Sequence, residues 1–407
     1  MSEWLDSGLG KELREVMNSS PIFLLGNENK HFNLICAVMD RLDTCVSYIN
    51  ENQEQPKSKK DLIVFVLFGC MVVDAVKMLS KELELEYGYS NENEEISYKY
   101  FKEICLRKPL MISKEKCPTD DRFFEYFRAL VFAHPFNTDR PKFLEDDEVQ
   151  YSPWVISNGR HMAIKDFGEG GIGVRIYSSK YLEGSIDLVF PFSTLMDYIK
   201  SRYLLIGNAT KWANQRIEHA KTEWKKRKVN RSLSPVDTLK EIVGILKSRY
   251  EDSGYVEEAI YYLEGITTFP ENNDSVDKFR SAIIATIPAV CGAVDALDNE
   301  QVYEVLGDII GARPKRVHNQ FGYQLEKIFL YLNDDYGSEY IAYGRQQAEH
   351  FSIEFARKHV TILPYDMSFA EIKLLVATAC YLEYLEQEST DRKHITPGEG
   401  LLRSPSP

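Results

Sequence analysis

The feature that most constrains the fold is a nearly continuous apolar run from Leu62 to Met78, interrupted by Asp74 and Lys77. A helix that is apolar almost all round must be covered by other parts of the protein or by lipid. A membrane span requires about 20 predominantly apolar residues, so this run is too short and too polar. The sequence therefore predicts a buried helix over about 61–86, central to a bundle, and no contact with a membrane.

Helical periodicity surrounds this run. The segment 31–52 places apolar side chains three and four residues apart, which indicates an amphipathic helix. Further helices are predicted over 95–106 and 120–133, the latter with Thr119 as a candidate N-cap and Pro135 just beyond its end. Four helices with connections of modest length predict an antiparallel, up-and-down bundle.

The middle of the chain has a different pattern. Short β-like runs alternate with glycine-containing turns, which predicts a small antiparallel meander. These runs lie at 154–157, 161–165, 173–177 and 186–190. The glycines of 168–173 match a dinucleotide-binding spacing, but a strand follows them where that motif needs a helix. They are predicted to form a hairpin turn, and no cofactor is expected.

Composition shifts divide the chain into five segments. The fold class they predict is mainly α, with an N-terminal antiparallel helical bundle, a small antiparallel β insertion and a helical C-terminal domain. The segments are a bundle at 1–150, a β meander at 151–192, a basic helical segment at 193–232, a helical domain at 233–390 and a polar tail, predicted to be disordered, at 391–407.

Charge and cysteine content restrict the class of protein further. A net charge of −13 excludes a chain that binds polyanions over its whole surface, so any nucleic-acid site must be a local patch. The seven cysteines are widely spaced and contain no CxxC pair, which argues against a zinc ribbon and favours reduced thiols. With no apolar leader at the N-terminus, the expected location is the cytoplasm. Adjacent acidic residues are expected to be solvated, and no metal site is predicted.

One pair of residues suggests chemistry. Arg128 and His134 have five residues between them at the end of the fourth predicted helix, just before Pro135. An Arg and a His at this spacing in a helical bundle resemble the R-x4-6-H motif of the HEPN family, over about residues 25–140. The resemblance implies a metal-independent ribonuclease that dimerises so that two motifs form one site. It also implies a toxin or an abortive-infection effector of antiviral defence.

The resemblance implies a role for each residue of the site. Cleavage of RNA by its own 2′-hydroxyl needs a proton acceptor and a proton donor, and the imidazole of His134 can do either near neutral pH. The guanidinium of Arg128 would bind the scissile phosphate and stabilise the extra charge of the transition state. Glu125, three residues before Arg128, is a candidate to orient that guanidinium.

Other interpretations of the same residues stay open. Arg313/His318 and Arg345/His350 have comparable spacings, although neither follows a four-helix segment. Ala129 stands where many family members carry a polar residue. Arg128 and His134 could therefore be structural, or belong to a catalytically silent bundle. The alternative function is a non-enzymatic helical scaffold or sensor for a protein partner or nucleic acid. If the chain is a nuclease, its C-terminal half could restrain it until a protein trigger or inhibitor acts.

A basic helical stretch gives the chain one local positive surface. Two tryptophans, Trp212 and Trp224, lie among its cations. The candidate RNA-binding residues are Lys211, Arg216, Lys221, Lys225, Lys226, Arg227 and Lys228. Cations interleaved with aromatic rings suit a single-stranded nucleic acid. The competing interpretation is a solvated amphipathic helix whose tryptophans face the protein core.

Overall fold

The fold was analysed in a computed structural model. It describes residues 3–26, 29–85, 87, 94–138, 149–157, 170–179 and 184–394. The β-like run predicted at 161–165 and most of the predicted disordered tail lie outside the described residues. The described part is mainly helical with one small antiparallel sheet, as the sequence predicts.

The chain divides into two compact units, Met1–His219 and Ala220–Pro407. The division falls inside the segment assigned to 193–232. The N-terminal unit contains α1 (Ser7–Asn18), α2 (Pro21–Leu24), α3 (Asn29–Glu51), α4 (Lys59–Glu82), α5 (Glu94–Ser97), α6 (Lys102–Leu106), α7 (Asp120–Arg128), β1 (Gln150–Ile156), β2 (Gly171–Ser178), β3 (Ile186–Pro191) and α8 (Phe192–Tyr203). A further helix, α9 (Ile206–Lys226), begins in this unit and continues past its boundary.

Helix α4 is the predicted central helix. It begins with a capping box in which Ser58 and Asp61 each accept a hydrogen bond from the other's backbone N–H. It packs against α3, α7 and α8, and Phe65, Val66 and Val72 are almost completely buried. The short connection between α3 and α4 makes these two helices an antiparallel hairpin.

The apolar helix is neither too short nor too polar to span a membrane, contrary to the prediction. The helix runs from Lys59 to Glu82, beyond the apolar run on both sides, and is long and apolar enough to span. Half of its most apolar window is nevertheless buried inside the protein. The helical stretch Pro270–Ala296 passes the same test among the described residues.

The prediction of a single helix over 95–106 is wrong, because this segment is divided into α5 and α6. The carboxylate of Asp120 accepts hydrogen bonds from the backbone N–H groups of Tyr100, at 3.0 Å, and Phe101, at 2.8 Å. Donors that are bound to this distant side chain cannot serve a continuous helix. The ring of Phe101 is thereby fixed in the core against Phe123.

The sheet is the predicted meander, with strand order β1-β2-β3 and antiparallel pairing throughout. Its inner face buries Val174, Ile176 and Leu188 completely. A register shift between Tyr151 and Trp154 interrupts the pairing of β1 with β2. One isolated bridge, from Thr138 to Gln150, joins the start of β1 to the segment that follows α7.

An ion pair at the base of α7 fastens it to α8. The side chain of Arg202 is only 1% exposed, and its Nε and Nη2 donate to the two carboxylate oxygens of Asp121 at 3.1 and 2.8 Å. The hydroxyl of Tyr198 donates to the same carboxylate at 2.8 Å. A bidentate pair of this kind satisfies a charge that would otherwise be costly to bury.

The C-terminal unit is helical throughout its described residues. Its helices are α10 (Pro235–Ser248), α11 (Gly254–Glu264), α12 (Asn273–Ala296), α13 (Asn299–Ile310), α14 (Phe321–Tyr331), α15 (Ser338–Glu354) and α16 (Phe369–His394). They share one continuous apolar core. Helix α16 extends to His394, so the tail predicted to be disordered from 391 begins inside a helix.

Removing the carboxylate charge of Asp121 should destabilise the N-terminal unit strongly. Asp121→Asn leaves the guanidinium of Arg202 buried without its counter-charge, and we expect a loss of about 3 kcal/mol in the free energy of unfolding. The exposed pair between Arg14 and Asp40 provides the control, and Asp40→Asn should cost less than about 1 kcal/mol. Urea unfolding followed by tryptophan fluorescence measures both. Equal effects would contradict this role of the buried pair.

Candidate functional site

Arg128 lies in the last turn of α7, on the side facing α4. The helix is N-capped by Thr119 and buries Phe123, Phe124 and Phe127. This packing directs the Arg128 side chain towards two residues one turn apart on α4. Its Nη1 donates to Cys70 Sγ at 2.8 Å and to Asp74 Oδ2 at 3.2 Å. The thiol of Cys70 donates to the same carboxylate at 3.3 Å, which closes a three-residue cluster.

The guanidinium of Arg128 keeps free donors. Its side chain is 32% exposed. Within the part of the chain that the structure describes, Nε and Nη2 make no hydrogen bond. A guanidinium has five N–H donors in a fixed fork, so one edge is anchored on α4 while another remains open to an anion.

The open edge of the cluster is the positively charged guanidinium of Arg128, whose neighbours raise its pKa. Burial lowers the pKa of Arg128, but Cys70 and Asp74 outweigh it, and the net shift is upward. Burial and the charge of Asp74 raise the pKa of the Cys70 thiol to about 12, against the opposing effect of Arg128. At neutral pH the thiol is therefore protonated, and the guanidinium is charged.

The five residues between Arg128 and His134 form a single π-helical turn, Ala129–Ala133. It ends with the backbone N–H of His134 donating to the carbonyl of Ala129 at 2.8 Å. Leu130 and Val131 are buried in this turn, whereas His134 is exposed. The imidazole makes no hydrogen bond or ion pair to any described residue. π-helical turns are rare and occur frequently at functional sites.

The prediction that Glu125 orients the guanidinium of Arg128 by pairing with it is wrong. Its Oε1 accepts a hydrogen bond from Lys77 Nζ at 3.0 Å, across an exposed pair. Lys77 reaches it from α4, which lies beside α7, and Asp74 makes the hydrogen bond to Arg128 instead. Glu125 still contributes to the raised pKa of Arg128 through its charge.

The sequence analysis missed Cys70 and Asp74 as members of this site. A signal was present, because Asp74 and Lys77 interrupt the most apolar run of the chain. Their charges were used only to argue against a membrane span. Both side chains are more than half exposed at the border of the apolar run, and α7 provides a partner for each.

All seven cations of the predicted RNA-binding stretch are exposed. Lys211 and Arg216 belong to the N-terminal unit, and the other five belong to the C-terminal unit. Several are engaged within the protein. The guanidinium of Arg216 lies 5.5 Å from the Trp212 ring centroid, Lys226 pairs with Glu223, and Lys228 donates to the Asp295 carbonyl at 3.0 Å.

The two tryptophans of this stretch do not face outward as stacking platforms. The Trp212 ring packs against Phe23 and edge-on against His31. Trp224 is partly buried, and its carbonyl accepts a hydrogen bond from Arg249 at 3.1 Å. These contacts favour the interpretation of a solvated amphipathic helix.

One group among the described residues has the donor types of a metal site. The possible donor atoms of His359, Glu383 and Glu386 lie within 4.8 Å of one another. The ammonium of Lys358 already lies among them, 3.0 Å from Glu383 Oε2 and bonded to Glu386 as well. A metal ion would have to displace this lysine. The expectation that the protein needs no metal stays a prediction.

No family model matches the chain, and no curated protein or solved structure matches it either. The resemblance to the HEPN family therefore rests on Arg128, His134 and their helical setting.

The hydrogen bonds around Glu383 should make stability depend on pH in acid. Burial opposes its charge, but hydrogen bonds from His359, Gln387 and Lys358 outweigh burial and lower the pKa of Glu383 to about 2. A lowered pKa contributes stability that is fully present above the unfolded value of about 4.5 and is lost as pH falls towards 2. That contribution amounts to about 3 kcal/mol.

The stability difference between wild type and Glu383→Gln should therefore shrink as pH falls from 4.5 to 2. Urea unfolding at a series of pH values measures it. Glu349→Gln, at an exposed carboxylate with no ion pair among the described residues, should change stability little. A Glu383→Gln difference that stays constant across this range would rule out the coupling.

Proposed function

We propose that the protein is a metal-independent HEPN-like endoribonuclease with Arg128 and His134 as its catalytic pair. One observation carries the proposal. A π-helical turn separates a guanidinium anchored on one edge and open on the other from an exposed imidazole that has no partner among the described residues. This arrangement offers a phosphate-binding cation and a proton-transfer group on neighbouring turns of one element.

The chemistry assigns a role to each side chain. The open N–H donors of Arg128 would bind the non-bridging oxygens of the scissile phosphate and stabilise the charge of the pentacoordinate transition state. His134 would accept the proton of the 2′-hydroxyl or donate one to the leaving 5′-oxygen. The proton of the 2′-hydroxyl leaves as its oxygen bonds to phosphorus, and the bond from phosphorus to the 5′-oxygen breaks. This step needs no metal.

Asp74 acts as a positioning residue in this proposal. Its carboxylate fixes the Nη1 edge of Arg128, so the guanidinium does not have to be ordered when RNA binds. The same contact has a cost, because the negative charge of Asp74 competes with phosphate for the cation. The variant Asp74→Asn separates the positioning of the guanidinium from the competition with phosphate, because an amide keeps the hydrogen bond and removes the charge.

The biological setting follows the family resemblance. Two copies would dimerise so that both motifs form one site, and RNA would be the substrate. The enzyme would act in the cytoplasm as a toxin or an anti-phage abortive-infection effector. The purified chain would have a basal activity, which a protein trigger or inhibitor would raise or lower. The mainly acidic surface of the chain requires RNA to be recruited by local cations.

The second candidate function is a non-enzymatic helical scaffold or sensor. The Arg128–Asp74 ion pair favours it, because such a pair also fastens α7 to α4 in a protein without activity. Under this alternative, removal of either partner lowers stability and changes no reaction.

Cleavage of a labelled mixed RNA in excess EDTA tests the proposal. His134→Ala should lower the rate by at least about 100-fold, because a general acid or base contributes about 10²–10⁴-fold. Arg128→Ala should lose about 10²–10³-fold through lost transition-state stabilisation. Folding is checked by circular dichroism.

The matched control is His350→Ala, since Arg345 and His350 have a similar spacing in α15 and His350 is exposed. This variant should cleave as the wild type does. Absence of cleavage by the wild type, or a His134→Ala variant with full activity, would contradict the nuclease and leave the scaffold. Asp74→Asn should retain the metal independence and change the rate less than Arg128→Ala.

A further inference from the structure

The outer face of the sheet carries a row of aromatic and basic side chains. In the described register, Trp154 pairs with Arg175, Arg175 pairs with Asp187, and Tyr151 pairs with Tyr177. Directly paired residues point to the same face of a sheet. Tyr151 and Trp154 are three residues apart, a separation that regular pleating would put on opposite faces. The register shift between them places both on the outer face.

Two of these rings are open to solvent, and the third, Tyr177, is half-buried. Trp154 is 49% exposed and Tyr151 is 40% exposed. The rings of Tyr151 and Tyr177 lie parallel, with an interplanar angle of 4° and centroids 6.0 Å apart. Exposed aromatic rings in parallel array on a sheet match the arrangement on which unpaired bases stack.

Two cations lie over the indole ring. Arg175 is 5.5 Å from its centroid, and Asp187 holds the guanidinium through hydrogen bonds of 2.7 and 2.9 Å. Lys59 Nζ is 4.7 Å from the same centroid. Neither Lys59 nor its neighbour Lys60 has an acidic partner among the described residues. The two lysines therefore provide positive charge that no described carboxylate pairs with.

The placement of these lysines is unfavourable for the helix that carries them. Lys59 and Lys60 occupy the first turn of α4, where the helix dipole favours negative charge. Among the described residues around them, four cations stand against three carboxylates. The cations are Lys57, Lys59, Lys60 and Arg175, and the carboxylates are Glu54, Asp61 and Asp187. This described set has a formal charge of +1 in a chain of net charge −13.

We propose that this aromatic face binds single-stranded nucleic acid. The face consists of Tyr151, Trp154, Arg175 and Tyr177, with Lys59 and Lys60 at its edge. Bases would stack on the three rings, and the two lysines would pair with the phosphates. Lys59 would exchange its contact with the indole for a phosphate oxygen, while Asp187 keeps Arg175 in place. A duplex is excluded as the preferred ligand, because its bases offer no free faces to the rings.

The aromatic face is connected through β1 to the segment that follows the proposed catalytic residue His134. The backbone N–H of Ser152 donates to the carbonyl of Pro135 at 2.6 Å, and Thr138 pairs with Gln150. The strand that carries Tyr151 and Trp154 therefore borders the segment just after His134. The binding proposal does not depend on cleavage, since stacking and phosphate pairing use none of the proposed catalytic groups.

The test is a binding titration of the full-length protein in EDTA. Fluorescein-labelled 15-nucleotide RNA and DNA of one mixed sequence, and the RNA duplex, are followed by fluorescence anisotropy. His134→Ala serves as the background so that the RNA stays intact. Trp154→Ala should weaken single-strand binding about tenfold or more. Lys59→Ala should make the salt dependence shallower by about 0.7 in log K against log salt.

Matched controls distinguish the face from other parts of the chain. Tyr340→Ala removes a 46% exposed ring from α15, and Lys278→Ala removes an exposed cation from α12. Both should bind as the background protein does. Equal affinity for RNA and DNA supports recognition through bases and phosphates, and tighter RNA binding supports an added contact to the 2′-hydroxyl.

The results of these measurements distinguish the proposal of a binding face from the proposal of a nuclease. No single-strand binding at 50 mM salt, or unchanged binding in both Trp154→Ala and Tyr151→Ala, overturns the aromatic face. Preference for the duplex overturns it as well. Binding without any cleavage by wild type rejects the nuclease and keeps the face. Cleavage with unchanged binding in the aromatic variants keeps the nuclease and rejects the face.

Discussion

The need to bury α4 organises the N-terminal unit. A helix apolar round most of its circumference can be covered only by several elements, and here α3, α7 and α8 contribute. The charges of Asp74 and Lys77 emerge where α7 ends, and each is paired by a residue of α7. The packing of the core and the position of Arg128 therefore have one cause. The candidate site lies where the apolar surface of α4 gives way to charge.

Local patterns predicted most of the fold, because periodicity and turn residues are properties of neighbouring positions. Helices α3 and α4 and the three strands of the meander follow directly from them. The break between α5 and α6 could not be predicted in this way. It depends on Asp120, which is about twenty residues away in sequence and binds the backbone of Tyr100 and Phe101. Tertiary contacts of this kind override a helical pattern.

The same limit applies to the candidate site. The spacing of Arg128 and His134 was visible in the sequence, and so was the preference for an acidic partner near the arginine. The sequence does not show which acidic residue pairs with Arg128, since Glu125 on the same helix and Asp74 on another could both accept its hydrogen bond. Only the packing of α7 on α4 decides between them. The tryptophans of α9 show a related limit, because interleaving with cations does not reveal which way a ring faces.

The π-helical turn between Arg128 and His134 affects the angle between their side chains around the helix axis. In a regular α-helix each residue advances about 100° around the axis, so six steps amount to about 600° and leave His134 about 120° from Arg128. A turn with i to i+5 hydrogen bonding takes in one more residue, so the angle between the two side chains depends on the type of turn as well as on the spacing. The number of residues between two motif positions therefore determines their relative orientation only together with the helical pitch between them. Loss of one residue from this turn would restore ordinary α-helical pitch and change the direction in which His134 leaves the helix.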